Sequence, residues 1–287
     1  MGQVSGNFLI LISAAAFGAM PIFATFTYQA GITIPVLLFF RFFIAFLVML
    51  PMAMIQNLPF PRGRDLAILM AMGFIGYAGQ SYCYFTALSL IPAGLVATLL
   101  YLYPVMVAVL SVVFFNEHMT RTKIMALFLA LGGTFLVVGI KTSSDIRGIG
   151  LAFLAAIVYS LYIIAGARVM RKNHALPAST VIMGSAGFFY FLYSLKSGIA
   201  LPTTIEASLS VLAIALVSTV LAISTFFAGI KLVGPVNAST LSTFEVVTTI
   251  ALAFLVFGQP VGLLQAVGIF LVLSSAVMVA KGDKNRE

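Results

Sequence analysis

Two charged side chains stand deep inside otherwise apolar stretches of this sequence: Arg41 within Phe39-Phe40-Arg41-Phe42-Phe43, and Glu245 within Ser242-Thr243-Phe244-Glu245-Val246. An ionised group at mid-bilayer costs ~2.5–3.5 kcal/mol on insertion scales, so each is expected to face a cavity or a partner. Glu245 reads as a cavity group that binds a substrate ammonium or a coupling proton, and Arg41 as a second candidate for substrate contact. The competing reading gives both a structural job, paired with each other or with backbone carbonyls. Arg41 lies nearer the outer end of its stretch and has the reach to snorkel. No other Asp or Glu falls deep within an apolar run. Proton coupling, if it runs through a carboxylate, therefore has Glu245 as its carrier, whereas uniport or exchange needs none.

A second constellation is polar and aromatic. Gln80, Ser81, Tyr82 and Tyr84 stand together in one run, Thr98, Tyr101 and Tyr103 in the next, and Tyr159, Ser160 and Tyr162 in a third, while Ser242 and Thr243 precede Glu245. Tyr has an apolar body and a hydroxyl tip, which suits a wet cavity for amphipathic solutes, and its ring attracts cations. The candidate substrate-binding set is Glu245, Gln80, Tyr84, Tyr101, Tyr159, Ser242 and Arg41. Interfacial belts also concentrate Tyr, and Ser and Thr join helices, so about half of the wider constellation is expected to be structural. On a continuous helix Tyr101 and Tyr103 lie about 200° apart, so both are not expected to point into one cavity. No His-Glu-x-x-His, no Gly-x-Ser-x-Gly and no intramembrane carboxylate pair occurs, which argues against an enzyme. His118 and His174 are far apart and Cys83 is the single cysteine, so no metal site, disulfide or cofactor is implied.

Such residues need a scaffold, and composition names it. The 287 residues are 62% hydrophobic and 8% charged, with a mean hydropathy of +1.17. Soluble domains run near a quarter charged and cannot bury so much apolar surface. The Lys and Arg residues behind the net charge of +8 form short clusters between apolar runs, with no continuous basic face for nucleic acid. The N-terminal stretch has no basic n-region and no cleavage signature, so the first segment is expected to be a retained membrane helix. Ten apolar windows are long enough to span: 7–28, 33–55, 66–87, 92–114, 123–140, 148–168, 178–196, 208–230, 235–257 and 262–280. Turn residues mark several joints, among them Asn57-Leu58-Pro59-Phe60-Pro61, Ser143-Ser144-Asp145 and Gly258-Gln259-Pro260. With the N-terminus inside, eleven Lys and Arg residues fall in inner segments and only Lys141, Arg147 and Lys196 outside. By the positive-inside rule both termini face the cytoplasm, and the localisation is an inner membrane crossed many times.

The sequence also matches itself at an offset of 142 without gaps. Pro35 meets Pro177, Phe46 meets Phe188, Thr98-Leu99 meet Thr240-Leu241, and Phe128-Leu129 meet Phe270-Leu271. This divides the chain into a first five-helix repeat at 1–142, a second at 143–284 and a tail end at 285–287. Five spans per half force the second half to enter from the opposite side. The basic loop Asn116-Glu117-His118-Met119-Thr120-Arg121 against the uncharged Gly258-Gln259-Pro260-Val261-Gly262 agrees with that inversion. Inverted repeats are the architecture of alternating-access carriers. Gly73, Gly76, Gly79 and Gly132-Gly133 read as close-packing sites, Pro21, Pro51 and Pro104 as kink positions, and Thr120 as the cap of the fifth span.

Several segments resemble the EamA-type family of the drug/metabolite transporter superfamily, and the likeness runs over essentially the whole chain. They are Arg41-Phe42-Phe43-Ile44-Ala45, Ala87-Leu88 to Pro92-Ala93-Gly94, Tyr103-Pro104-Val105, Phe115-Asn116-Glu117, Phe244-Glu245-Val246 and Phe257-Gly258-Gln259. The resemblance implies an all-α membrane protein with ten transmembrane helices in two inverted five-helix repeats. It implies export or exchange of amino acids, metabolites or cationic compounds, a small-molecule substrate and contact with membrane lipid. Three positions depart from the family's habit: Val246 stands for a proline, Gln259 for an acid and Phe17 for a tryptophan. A channel or a lipid-handling protein is the alternative function. Proton coupling and oligomeric state stay open.

Overall fold

The computed structural model describes residues 2–91, 93–138, 145–197, 204–258 and 260–284, and those residues are all helical or in short connections. Pro92, Lys141, Ser143, Ser144, Gln259, the 285–287 tail and the side chains of Thr98 and Lys196 lie outside the described residues. The helices in chain order are α1 (Gly2–Gly18), α2 (Met20–Gln29), α3 (Ile34–Ile55), α4 (Gly63–Ala71), α5 (Ala78–Leu90), α6 (Ala93–Leu100), α7 (Tyr103–Phe115) and α8 (Arg121–Val138). They continue as α9 (Ile146–Met170), α10 (Ala175–Ser197), α11 (Ile205–Ala215), α12 (Ala222–Ser242), α13 (Phe244–Phe257) and α14 (Leu263–Lys284). A π-turn, Met72–Tyr77, joins α4 to α5, and a second, Leu216–Leu221, joins α11 to α12. Among the described residues six helical stretches are long and apolar enough to cross a membrane. Tyr103–Phe115, Phe244–Phe257 and Leu263–Val279 are shorter apolar helices.

Where hydropathy reads unbroken spans, the backbone is interrupted, and the local chemistry explains each break. The window 7–28 divides at Ala19, with Pro21 in the first turn of α2, where a missing N–H costs nothing. The window 92–114 divides at Tyr101-Leu102, and Pro104 opens α7 in the same way. Gly234 (φ 78°, ψ 168°) and Pro235 kink α12, and the helix ends at Ser242, so the window 235–257 is the tail of α12 followed by α13. Pro51, by contrast, sits inside an unbroken α3. Ser239, Thr240, Ser242 and Thr243 turn their hydroxyls back onto carbonyls three or four residues earlier, so these polar side chains are satisfied within their own segment.

Packing repeats across the two halves. The most extensive contacts join α8 to α14, α1 to α12, α3 to α10 and α5 to α9. By the 142-residue offset α3 answers to α10 and α8 to α14, while the α1–α12 pair answers to α9–α5. That is the contact pattern of two halves related by a two-fold operation. α8 and α14 meet through glycine: a Cβ on Gly133 would lie 2.6 Å from the carbonyl oxygen of Gly268, so only a bare backbone fits. Gly73 packs as closely on α10, whereas a Cβ added to Gly79 or Gly132 would meet nothing within 4 Å, so these two are not packing sites. The helix ends correspond too, since Asn116 (φ 50°) and Gly258 (φ 64°) both close their helices in the left-handed conformation.

Candidate functional site

Arg41 sits where α3 meets both π-turns, and its side chain is only 3% exposed. Its Nε donates to Thr219 Oγ1 at 2.8 Å and its Nη2 to Tyr77 Oη at 2.7 Å. The guanidinium also lies over the rings of Phe42 and Tyr77, 5.1 and 5.4 Å from their centroids, so π-faces and hydroxyls supply the stabilisation water would give. Glu245 is placed by the break at Thr243, which sets it in the first turn of α13, where a helix dipole favours an acid. Among the described residues the ion pairs are Glu117 with Lys123 and Asp145 with Arg147, and neither Arg41 nor Glu245 belongs to one.

Arg41, Gln80, Tyr84, Tyr101, Tyr159 and Glu245 all line one cavity of about 510 Å³. Six of the seven sequence candidates therefore converge on one space drawn from both halves of the chain. Ser242 is not part of the lining, and its hydroxyl donates to Ala238 O at 2.8 Å within its own helix. Of the wider constellation, Ser81, Tyr103 and Tyr162 do line the cavity. Ser160 is buried with its hydroxyl on Ala156 O, and Tyr82 is exposed beside Tyr193. Tyr101 and Tyr103 both reach the cavity, contrary to the helical-wheel expectation, with ring centroids 6.4 Å apart. The wheel assumed a continuous helix, and the chain breaks between Leu100 and Tyr103.

Sequence reasoning missed Tyr77, Thr249 and Gln265, which also line the cavity. A signal existed for two of them: Tyr77 lies three residues before Gln80, and Thr249 lies four after Glu245, both one helical turn away on the same face. The rings form a continuous run, with Tyr103 on Tyr159 at 4.8 Å, Tyr159 on Tyr162 at 6.2 Å, Tyr162 on Tyr77 at 5.4 Å and Tyr77 on Phe42 at 5.1 Å. A larger groove of about 930 Å³ lies between α3, α4 and α10, but its walls are almost wholly apolar and it holds none of the candidates. The charged and candidate polar side chains are in the smaller cavity.

The cavity reaches one end of the bundle, where its lining includes Val137 near the end of α8 and Gln265 near the start of α14. The opposite end is tied by polar contacts. Asn173 Nδ2 donates to Asp65 Oδ2 at 2.8 Å and to Val169 O at 2.9 Å, Lys231 Nζ reaches Asn173 O at 3.5 Å, and Arg171 lies over the Phe115 ring. At that end Thr120 caps α8 by accepting from the Lys123 N–H, and the Lys123 ammonium pairs with Glu117.

The EamA-like transporter family matches this chain twice, over residues 4–139 and again over 146–281, two copies whose starts and ends are both 142 residues apart. The chain belongs to the EamA-like transporter family. Relatives of this EamA-like chain are transporters by name. "Uncharacterized transporter YdfC" of Bacillus subtilis (strain 168) is 28% identical over 231 residues, 79% of this chain and 74% of that protein. "Uncharacterized transporter YcbK" of the same organism is 24% identical over 286 residues, 94% of this chain and 92% of that one. A solved crystal structure shares the fold with a TM-score of 0.86 and 17% identity, covering 96% of this chain and 98% of its own. The protein is thus a multi-pass membrane transport protein with a small-molecule substrate, built as two EamA repeats.

Proposed function

We propose that this EamA-like protein is a secondary transporter that moves amino acids or similar small metabolites across the inner membrane, in the direction of export, by alternating access. It crosses the bilayer with ten spans in two inverted five-helix repeats, and both termini are cytoplasmic. The observation that carries the reading is the 510 Å³ cavity between the halves, which has one carboxylate, Glu245, outside any ion pair among the described residues, one buried guanidinium, Arg41, and walls of Tyr and Gln. Such an acid in a tyrosine-walled space is a receptor for a cationic group, and an ammonium is the smallest that fits both the carboxylate and the ring faces. Gln80, Tyr84, Tyr101 and Tyr159 offer hydrogen bonds to the rest of a polar solute. The polar ties at the end with Asp65, Asn173 and Lys231 support a state closed toward the cytoplasm and open outward.

The test is uptake and counterflow in proteoliposomes with labelled amino acids and polar metabolites, with and without a pH gradient. Saturable counterflow of at least one ammonium-bearing solute is the expected outcome. Flux that never saturates indicates a channel, and no flux of soluble solutes together with an effect on lipid distribution indicates a lipid-handling protein. Either result withdraws the reading.

A further inference from the structure

The two π-turns occupy corresponding places in the two halves, within two residues of the 142-residue offset. A π-turn inserts an extra residue, leaves a carbonyl without its usual partner and gives a helix a point at which to bend. In the second half the Thr219 hydroxyl donates to Ile214 O, five residues back and just ahead of the π-turn, at 2.9 Å. A hydroxyl has one proton. With it committed to Ile214, the Thr219 oxygen is left as an acceptor for Arg41 Nε. In the first half Tyr77 closes the turn, and its oxygen accepts from Arg41 Nη2. Tyr77 and Thr219 are 142 residues apart, so one planar guanidinium is hydrogen-bonded at once to the same position in each half. Met183 occupies the position equivalent to Arg41 in the second half and cannot make such bonds, so the link is single.

We propose that Arg41 is a positioning residue that couples the two π-turn hinges, so that the halves rearrange together around the cavity. The role rests on the alternating-access reading and deepens it. Two of the guanidinium's donors are spent on the hinges in a fixed fork, a geometry that a lysine ammonium cannot reproduce. Loss of either hydroxyl frees one hinge from the other and changes the balance between open and closed forms.

The experiment places a reporter cysteine at Ile250, on the cavity wall, in a Cys83→Ala background. Its reaction with a membrane-impermeant thiol reagent is timed in Tyr77→Phe, Thr219→Val, the double variant and Arg41→Lys. Tyr77→Phe and Thr219→Val remove one hydroxyl each at nearly constant shape, and monodisperse elution identifies folded variants. Each single variant is expected to change the labelling rate by on the order of tenfold, the shift carried by one hydrogen bond to a charged group. The double variant is expected to change it no further, and Arg41→Lys to match the double, because all act through one guanidinium. Unchanged labelling throughout, effects of the two hydroxyls that multiply, or Arg41→Lys behaving as wild type would each overturn the proposal. Labelling is read without any solute, so failure of the coupling shows in the reporter and failure of the transport reading shows in the flux.

Discussion

Residues that carry charge in hydrocarbon were easy to find by sequence, since Arg41 and Glu245 stand out against their apolar neighbours and both line the cavity. What the sequence did not tell apart was a hydroxyl facing a solute from one facing its own backbone. Ser242 stands three residues before Glu245 in a polar run, yet its hydroxyl donates to Ala238 O within its own helix. Tyr77 shows the converse: it lies in a Gly-rich stretch whose one polar signal is Gln80 a turn later, and the structure marks it by its bond to Arg41 and its place in the cavity wall. Glu245 bears the most direct test. Glu245→Gln keeps the shape and removes the charge that receives the solute's cationic group, so gradient-driven accumulation is expected to fall to the level of empty liposomes and counterflow to need on the order of tenfold more solute for the same rate. If gradient-driven transport and counterflow are both unchanged, the carboxylate has no part in coupling or recognition.

At the scale of elements, windows of hydropathy find the apolar stretches because they average over ~20 residues, and the same averaging hides a break of one or two residues, so ten windows correspond to six long apolar helical stretches and several shorter ones among the described residues. The two π-turns leave almost no trace in composition. Pro104 and the Gly234-Pro235 pair do mark two breaks, and in a membrane such breaks persist where the freed carbonyls lie against protein or a wet cavity. Gly234 has φ 78° and ψ 168°, a conformation essentially confined to glycine. Gly234→Ala is therefore expected to destabilise the protein by ~1–3 kcal/mol, seen as a lower thermal unfolding midpoint in detergent. Gly132 makes the matched control: it lies mid-helix in α8 with open space around it. Gly132→Ala should raise stability by ~0.5–1 kcal/mol, since alanine has less backbone freedom to lose. Equal losses in both variants would mean that the kink at Gly234 is not held by its backbone conformation.

For the whole molecule the repeat carries the most weight, because an offset of 142 read from scattered identities reappears in the helix ends, in the contact pattern and in the interval between the two family matches. None of these says which way the second half faces. That reading depends on charge and on an odd number of spans, and it has a direct consequence. Connections 142 residues apart should lie on opposite sides of the membrane, while mid-span positions such as Tyr77 and Thr219 share one depth. His118 and Pro260 are such a pair, each exposed in the short connection before the last helix of its half. With Cys83 replaced by alanine, Pro260→Cys should react with an impermeant maleimide in intact cells, and His118→Cys only after the membrane is permeabilised. The reverse result keeps the inversion but turns the molecule over, putting both termini outside against the positive-inside rule. Reaction of both from one side means that the halves run parallel, and then a cavity shared between them cannot be exposed alternately by exchanging their conformations.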